Sequence, residues 1–243
     1  MTDVFAPDED RLCLYGSFDS ANLIVRFVLE ELQADYRFIE VNRASRLNRS
    51  EAYLKLNPQG LLPVLTVPDQ AEPLFETAAI LLFIGDRAGR LVPAPQSPMR
   101  GRLLTWLFFI SNTLHSDMRI SFRPKRYLAE GADEAPLRQG LEARIGAGFD
   151  YLERCISDAK GPFLLADDLS ILDFYAAACA RWFQLYPYVR EFRQERWPHL
   201  RAMLMRLEER PSVRRAAEAE MITGPVFVNP SRPNIDPATI TGV

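Results

Sequence analysis

Two serines near the N-terminus lie where a strand is expected to turn into a helix. Ser17 and Ser20 belong to the segment 15–22, and a hydroxyl at the start of a helix can donate a hydrogen bond to a bound thiolate. A bond to a charged group contributes about 1.5–3 kcal/mol, which lowers the pKa of a thiol by roughly one to two units. A thiol with a usual pKa of about 8.5 would then be substantially ionised at neutral pH. A serine that only caps the helix is the alternative interpretation.

A second candidate binding element is the turn 57–60, which is followed by Leu62 and Pro63. Proline cannot donate to a β-ladder, so Pro63 at the start of a predicted strand indicates an edge that a ligand approaches. A cis peptide bond between Leu62 and Pro63 would turn the main-chain groups of Leu62 outward, where they could pair with a peptide-like ligand. The alternative is a proline that begins the strand with a trans bond.

A third candidate is the Glu76–Thr77 pair, where a strand runs into a helix. The start of a helix offers free backbone N–H groups and the positive end of the helix dipole. Thr77 can present its N–H and hydroxyl to a carboxylate, and Glu76 can hold an ammonium group. The pair therefore suits the zwitterionic end of an amino acid or a γ-glutamyl group, with simple helix capping as the alternative.

The elements that position these residues follow from short apolar runs that alternate with helical periodicity. Strands are predicted at 11–15, 36–41, 62–67 and 73–75, and helices at 23–32, 44–56 and 76–87. The first β-α-β unit implies parallel strands with a right-handed crossover. A βαβ unit followed by a ββα unit is the thioredoxin-like order.

The rest of the chain predicts a helical domain behind a proline-rich linker at 91–98. Amphipathic stripes predict helices at 103–114, 137–156 and 200–207. Ser170 and Asp173 have the spacing of a capping box, in which the serine hydroxyl accepts a helix N–H and the aspartate reaches back. The tail 223–243 is expected to be an extended strap or a partly disordered end.

Composition excludes several classes of protein. The 243 residues are 48% hydrophobic and 25% charged, enough for one or two domains with real cores. A balance of 29 basic against 32 acidic residues argues against nucleic-acid binding. The run 78–84 is too short to cross a membrane and the acidic N-terminus is unlike a signal peptide, so we expect a cytoplasmic protein. Three cysteines without metal-ligand spacing and two histidines argue against a metal centre.

Taken in order and with their gaps, these segments resemble the cytosolic glutathione transferases. The resemblance rests on an LYGSxxS-like first turn, an NPxGxxPxL loop, a Glu-Thr pair opening a helix and the DLSILDFYAAA segment. It runs from about 12 to 222, and the segment 180–213 looks most like bacterial beta-like members. It implies a thioredoxin-like α/β domain at 12–90 that binds glutathione, after an N-terminal extension 1–11. An all-α domain at 99–222 would shape the acceptor pocket, and the enzyme would be a homodimer.

The resemblance also implies residue roles in glutathione binding. Leu62, before a cis-Pro63, would contact the cysteinyl part, and Glu76 with Thr77 would hold the γ-glutamyl end. Ser20 falls in the position where many bacterial members carry a hydroxyl near the sulfur.

Departures from the family pattern leave the sulfur-binding residue open. In serine classes with Val-Arg in the first helix, the catalytic serine would align with Asp19, so Ser17 stays an alternative to Ser20. Tyr15 is a weaker alternative, and Asn22 could support the serine as one of the substrate-binding residues. The cysteine of bacterial beta enzymes is replaced by Ala21, which disfavours disulfide chemistry.

One further residue is implied in the helical domain. His115 resembles the histidine of the beta-like ELHK segment, which faces the glutathione cleft. A histidine that caps a helix C-terminus is the alternative.

The function expected from these observations is a glutathione transferase without a metal. Its partners would be glutathione and a hydrophobic electrophile, with no nucleic acid and no membrane. Two alternatives stay open: a non-catalytic interaction module of the same fold, or a glutathione-dependent peroxidase, dehalogenase or isomerase.

Overall fold

The computed structural model describes residues 5–185 and 194–235. They divide into two compact units that are not continuous in sequence. The first unit contains 5–88, 211–224 and 232–235, and the second contains 89–185, 194–210 and 225–231. The start of the expected N-terminal extension, 1–4, and the end of the expected tail, 236–243, lie outside the described residues.

A four-stranded sheet forms the centre of the first unit. Its strands are β1 (Leu12–Gly16), β2 (Tyr36–Glu40), β3 (Val64–Thr66) and β4 (Leu74–Phe75). The strand order is β2-β1-β3-β4, with β1 parallel to β2 and antiparallel to β3, and with β3 antiparallel to β4. This is the predicted thioredoxin-like order, in which β1 occupies the buried interior of the sheet.

Three helices of the first unit follow the predicted order. They are α1 (Asn22–Leu32), α2 (Glu51–Leu56) and α3 (Thr77–Ala88). The helix predicted at 44–56 is shorter, because Leu47–Arg49 forms a 3-10 turn and Ser50 is the N-cap of α2. The Ser50 hydroxyl accepts a hydrogen bond from the Tyr53 N–H at 3.2 Å, which is the bond of an N-cap.

The second unit is helical, as predicted. Its helices are α4 (Arg100–Phe109), α5 (His115–Phe122), α6 (Ala135–Ala159), α7 (Ile171–Leu185) and α8 (Pro198–Glu208). A π-helical turn, Ile110–Leu114, joins α4 to α5 without a break in the helical run. Helix α7 is buried along most of its length and forms the centre of this core. Within 5–185 and 194–235, no helix has the length and apolar character that crossing a bilayer requires.

The capping box at the start of α7 is only partly of the predicted kind. Asp173 reaches back to the Ser170 N–H at 2.7 Å, as predicted. The Ser170 hydroxyl, however, donates to Asp173 at 2.8 Å instead of accepting a helix N–H. The other carboxylate oxygen of Asp173 accepts the Leu164 N–H at 2.8 Å, so this buried side chain ties a loop to the helix start.

The last helix, α9 (Pro211–Ala219), belongs to the first unit, whereas the sequence placed 99–222 in the helical domain. Its polar residues explain the difference, because they pair with the end of α1. The Ser212 hydroxyl donates to Glu31, and Arg215 donates to the Glu30 carboxylate at 2.9 Å.

The following segment, 225–231, packs on the helical unit as a strap. Glu208 at the end of α8 accepts the N–H groups of Val226 and Phe227. Arg181 donates to the carbonyls of Val226 and Ser231 at 2.9 and 2.7 Å. Phe227 has no exposed surface, so the strap contributes a side chain to the core.

Candidate functional site

The register of the sheet brings the three candidate segments to one end of the first unit. Tyr15 of β1 lies opposite Val64 of β3, and Val64 lies opposite Phe75 of β4. Because neighbouring strands here are antiparallel, the end of β1, the start of β3 and the end of β4 meet at the same sheet end. The residues carried at that end are Ser17, Leu62, Pro63, Glu76 and Thr77.

The peptide bond between Leu62 and Pro63 is cis, as predicted. The preceding carbonyl, that of Leu61, accepts hydrogen bonds from the Tyr53 hydroxyl at 2.8 Å and the Asn57 amide at 3.0 Å. Neither the N–H nor the carbonyl of Leu62 has a hydrogen-bond partner among the described residues. The loop is therefore fixed at Leu61 and leaves the main chain of Leu62 open to a ligand.

The turn before this loop is fixed by a second side chain. Gly60 has a positive φ of 62°, and a Cβ there would lie 2.7 Å from the carbonyl oxygen of Asn48. The Asn48 amide donates to the Gly60 carbonyl at 2.8 Å. Sequence reasoning missed Asn48 and Tyr53, because their partners are main-chain carbonyls that no side-chain motif marks.

The start of α3 presents a polar pair. Glu76 is exposed and has a φ of 70°, in the left-handed region that non-glycine residues rarely adopt and that is frequent at functional sites. Thr77 is the first residue of α3, where helix geometry leaves the N–H without an intrahelical partner. Its hydroxyl has no partner in the part of the chain that the structure describes. Both the N–H and the hydroxyl of Thr77 can donate a hydrogen bond to a carboxylate.

The two candidate serines differ in their hydrogen bonds. The Ser20 hydroxyl lies 2.8 Å from the Ser17 carbonyl and 2.5 Å from Oδ1 of Asn22. Its single proton is therefore donated to an acceptor within the protein. The Ser17 hydroxyl has no such partner within 5–185 and 194–235, although the Ser17 N–H donates to Oδ1 of Asn22 at 2.9 Å.

Asn22 holds this turn together from inside the unit. Its side chain has no exposed surface, and a Cβ at Gly16 would overlap it. Its Nδ2 donates to Oε1 of Glu220 at 2.9 Å. We expected Asn22 among the substrate-binding residues, but its buried amide bonds only protein groups, so it positions the turn instead.

Sequence reasoning missed Glu220, which follows α9 and is fully buried. It accepts the Asp19 N–H at 2.8 Å in addition to the Asn22 amide. No local signal could have found it, because about two hundred residues separate the partners.

Tyr15 is excluded as a ligand-binding hydroxyl. Its side chain has no exposed surface, and its hydroxyl donates to the carbonyl of Phe5 at 2.9 Å.

His115 belongs to the helical unit, whereas the other predicted site residues belong to the first unit. It begins α5 directly after the π-helical turn, so the alternative of a cap at a helix C-terminus is wrong. Its Nδ1 lies 2.9 Å from the Tyr175 hydroxyl, and its ring stacks on Trp182. Burial, with the nearby charge of Arg119, lowers the pKa of His115 to about 4, so the ring is neutral at pH 7.

Comparison with protein-family models gives two matches. The N-terminal domain model of glutathione S-transferase matches residues 23–87, and the C-terminal domain model of the same family matches 135–202. Together the two models match more than half of the chain.

Individual proteins also match over most of the chain. The glutathione S-transferase GstA of Escherichia coli is 26% identical, covering 83% of this chain and 94% of the relative. A maleylacetoacetate isomerase of Pseudomonas aeruginosa is 28% identical, covering 84% and 93%. The crystal structure of a glutathione transferase from Methylococcus capsulatus superposes with a TM-score of 0.71 at 29% identity, covering 86% of this chain and 98% of that one.

Proposed function

Because the chain belongs to the glutathione S-transferase family, we propose that its first unit binds glutathione and holds the sulfur as a thiolate for attack on a small apolar electrophile. The sheet register carries this proposal, because it brings three sets of polar groups to one end of the sheet. These are the Ser17 hydroxyl, the main chain of Leu62 and the start of α3.

Each set suits one part of glutathione. The open N–H and carbonyl of Leu62 can pair with the cysteinyl residue as a short antiparallel strand. Thr77 can donate its N–H and hydroxyl to the α-carboxylate of the γ-glutamyl residue, and the Glu76 carboxylate can accept from its ammonium group.

We propose Ser17, not Ser20, as the donor to the sulfur. The Ser20 hydroxyl would have to give up a protein acceptor before it could bind a thiolate, whereas the Ser17 hydroxyl bonds to none of the residues that the structure describes. Ser17 is also only 2% exposed, which limits competition from water.

The reaction needs little covalent chemistry from the protein. On binding, the thiol loses its proton to solvent and the sulfur keeps the electron pair. The sulfur then bonds to an electrophilic carbon, and a leaving group departs with its electrons or a proton adds to the neighbouring carbon. The protein supplies orientation and a lowered thiol pKa.

Calorimetry with glutathione and with cysteinylglycine tests the binding part of the proposal. Cysteinylglycine lacks the γ-glutamyl residue, so it should bind at least about tenfold more weakly, which corresponds to about 1.4 kcal/mol. Thr77→Val should weaken glutathione binding and leave cysteinylglycine binding unchanged. Equal affinity for both peptides would contradict the assignment of Glu76 and Thr77.

Isomerisation is a second candidate reaction, favoured by the similarity to a maleylacetoacetate isomerase. The same thiolate would add to a double bond conjugated to a carbonyl, the resulting single bond would rotate, and the sulfur would leave again. Conjugation consumes one thiol per product, whereas isomerisation consumes none, so titration of free thiol during turnover separates them. The similarity to enzymes disfavours the non-catalytic module, and we propose a homodimer on the same family grounds.

A further inference from the structure

Glu220 places a carboxylate in the interior of the first unit, beside the turn that carries Ser17. Its side chain is fully buried. Oε2 accepts the Asp19 N–H at 2.8 Å, and Oε1 accepts the Asn22 amide at 2.9 Å. Oε1 also lies 3.3 Å from Nε of Arg26, an ion pair that lacks the alignment of a hydrogen bond.

We propose that Glu220 is a positioning residue that sets the hydrogen-bonding direction of the sulfur-binding turn. This inference rests on the proposed function of that turn. A carboxylate only accepts hydrogen bonds, so it fixes the Asn22 amide with Nδ2 toward Glu220. Oδ1 of Asn22 must then face the turn, where it accepts the Ser17 N–H and the Ser20 hydroxyl.

The bond to Asp19 acts on the main chain of the same turn. Asp19 has a φ of 47°, a left-handed conformation that is rare for residues other than glycine. Its N–H is held by Glu220 in this conformation. Glu220 therefore constrains the turn on both sides of Ser20, through one main-chain and one side-chain bond.

Among the described residues, the charged groups around the turn are two carboxylates, Glu220 and Asp19, and one guanidinium, Arg26. The Glu220 carboxylate is offset by Arg26, whose guanidinium also lies over the Phe38 ring at 3.8 Å. The turn itself carries the second of these carboxylates, that of Asp19. If the negative charge of Glu220 were the dominant effect, its removal would leave the positive charge of Arg26 uncompensated and would lower the pKa of the thiol. If Glu220 acts by holding the turn in place, its removal would raise the pKa of the thiol.

Glu220→Gln separates these two effects while keeping the size of the side chain. A glutamine offers one acceptor oxygen and one donor nitrogen, so its nitrogen must face either the Asp19 N–H or the Asn22 amide, donor against donor. We expect the pKa of bound glutathione thiol, measured by ultraviolet thiolate absorbance, to rise by about one unit. We expect kcat near pH 6 to fall about tenfold, with a change in KM for glutathione of less than about threefold.

Arg215→Ala is the matched control. Arg215 lies on α9 and contacts Glu30 at the opposite end of α1, so its loss loosens α9 without touching the turn. The thiol pKa should stay at the wild-type value in this variant. An equal shift in Glu220→Gln and Arg215→Ala would overturn the proposal, because it would show a general effect of α9 packing.

Two more variants keep the test decisive. Glu220→Asp retains a carboxylate that is one methylene shorter, and it should shift the thiol pKa less than Glu220→Gln. The double variant of Glu220→Gln with Ser17→Ala should show the pKa of Ser17→Ala alone, because Glu220 acts through the serine. Fully additive shifts would overturn the proposal, as would wild-type pKa values in folded Glu220→Gln and Glu220→Asp.

The outcome also distinguishes this inference from the proposed function. If the wild-type protein forms a thiolate with glutathione and the Glu220 variants match it, only the role of Glu220 is wrong. If the wild-type protein forms no thiolate with glutathione, both are wrong.

Discussion

Ser17 and Ser20 are three residues apart in one turn, yet their hydroxyls have different surroundings. The Ser20 proton lies between two protein acceptors, while the Ser17 hydroxyl has no partner within the described ranges 5–185 and 194–235. The sequence resemblance favoured Ser20 because it aligns residues by position. An alignment carries no information on which hydroxyl already donates its proton to a protein acceptor. That depends on Asn22, which accepts from Ser20, and on Glu220, which orients the Asn22 amide.

Alanine variants of the two serines test this difference. Ser17→Ala should lower kcat/KM for conjugation of a chloro-nitroaromatic compound at least about tenfold, the equivalent of about 1.4 kcal/mol. Ser20→Ala serves as the matched control and should stay within about threefold of the wild type. A large loss in Ser20→Ala with an active Ser17→Ala would assign the sulfur to Ser20.

His115 predicts how the stability of the helical unit depends on pH. Its pKa is about 4 in the folded protein, while an unfolded histidine has a pKa of about 6.5. Between these values the unfolded chain binds more protons, so this contribution to stability is present above about pH 6.5 and is lost as the pH falls through about 4.

Denaturant unfolding followed by tryptophan fluorescence measures this effect. All three tryptophans, Trp106, Trp182 and Trp197, lie in the helical unit and report on it. His115→Phe should keep the ring stacked on Trp182 and should lose less stability than the wild type between about pH 6.5 and pH 5. The same loss in both proteins would show that His115 is not held neutral.

At the scale of elements, periodicity predicted most of the first unit. The alternation of apolar runs gave β1, α1 and β2 within one or two residues, because each is bounded by a change of period. The predicted helix at 44–56 was too long, because its polar residues do not reveal that Ser50 caps a separate helix. Helix α9 was not predicted as a helix, and its segment was included in the helical domain at 99–222, because no local pattern identifies the element that a helix packs against.

The start of α7 contributes to the stability of the helical unit through Asp173. Asp173 satisfies the N–H groups of Leu164 and Ser170 in a buried setting. Asp173→Ala would leave both donors unpaired, and each such group costs about 1–3 kcal/mol. We expect the free energy of unfolding of the helical unit to fall by about 2–4 kcal/mol.

Ser170→Ala is the control for this prediction, because it removes one hydroxyl and leaves both N–H groups bonded to Asp173. It should lower the free energy of unfolding by about 1 kcal/mol, the net contribution of one hydrogen bond. Equal losses in the two variants would contradict the account of Asp173 as the tie between loop and helix.

For the whole molecule, the confirmed prediction is the order of a thioredoxin-like unit and a helical unit. The sequence also identified the segments at the sheet end, because a turn, a proline and a helix start each carry a local signal. It could not identify Glu220, whose partners are about two hundred residues away, nor Tyr53 and Asn48, whose partners are main-chain carbonyls that no side-chain motif marks. The residues that support the site could therefore be identified only from the folded structure.

Titration of bound glutathione measures whether the first turn of the protein holds the sulfur as a thiolate. Ultraviolet absorbance of the thiolate, titrated against pH with the wild-type protein in excess, gives the pKa of the bound thiol. A donor hydroxyl at the first turn should place it about one to two units below the roughly 8.5 of a free thiol. A bound thiol that titrates at the value of free glutathione would contradict the account.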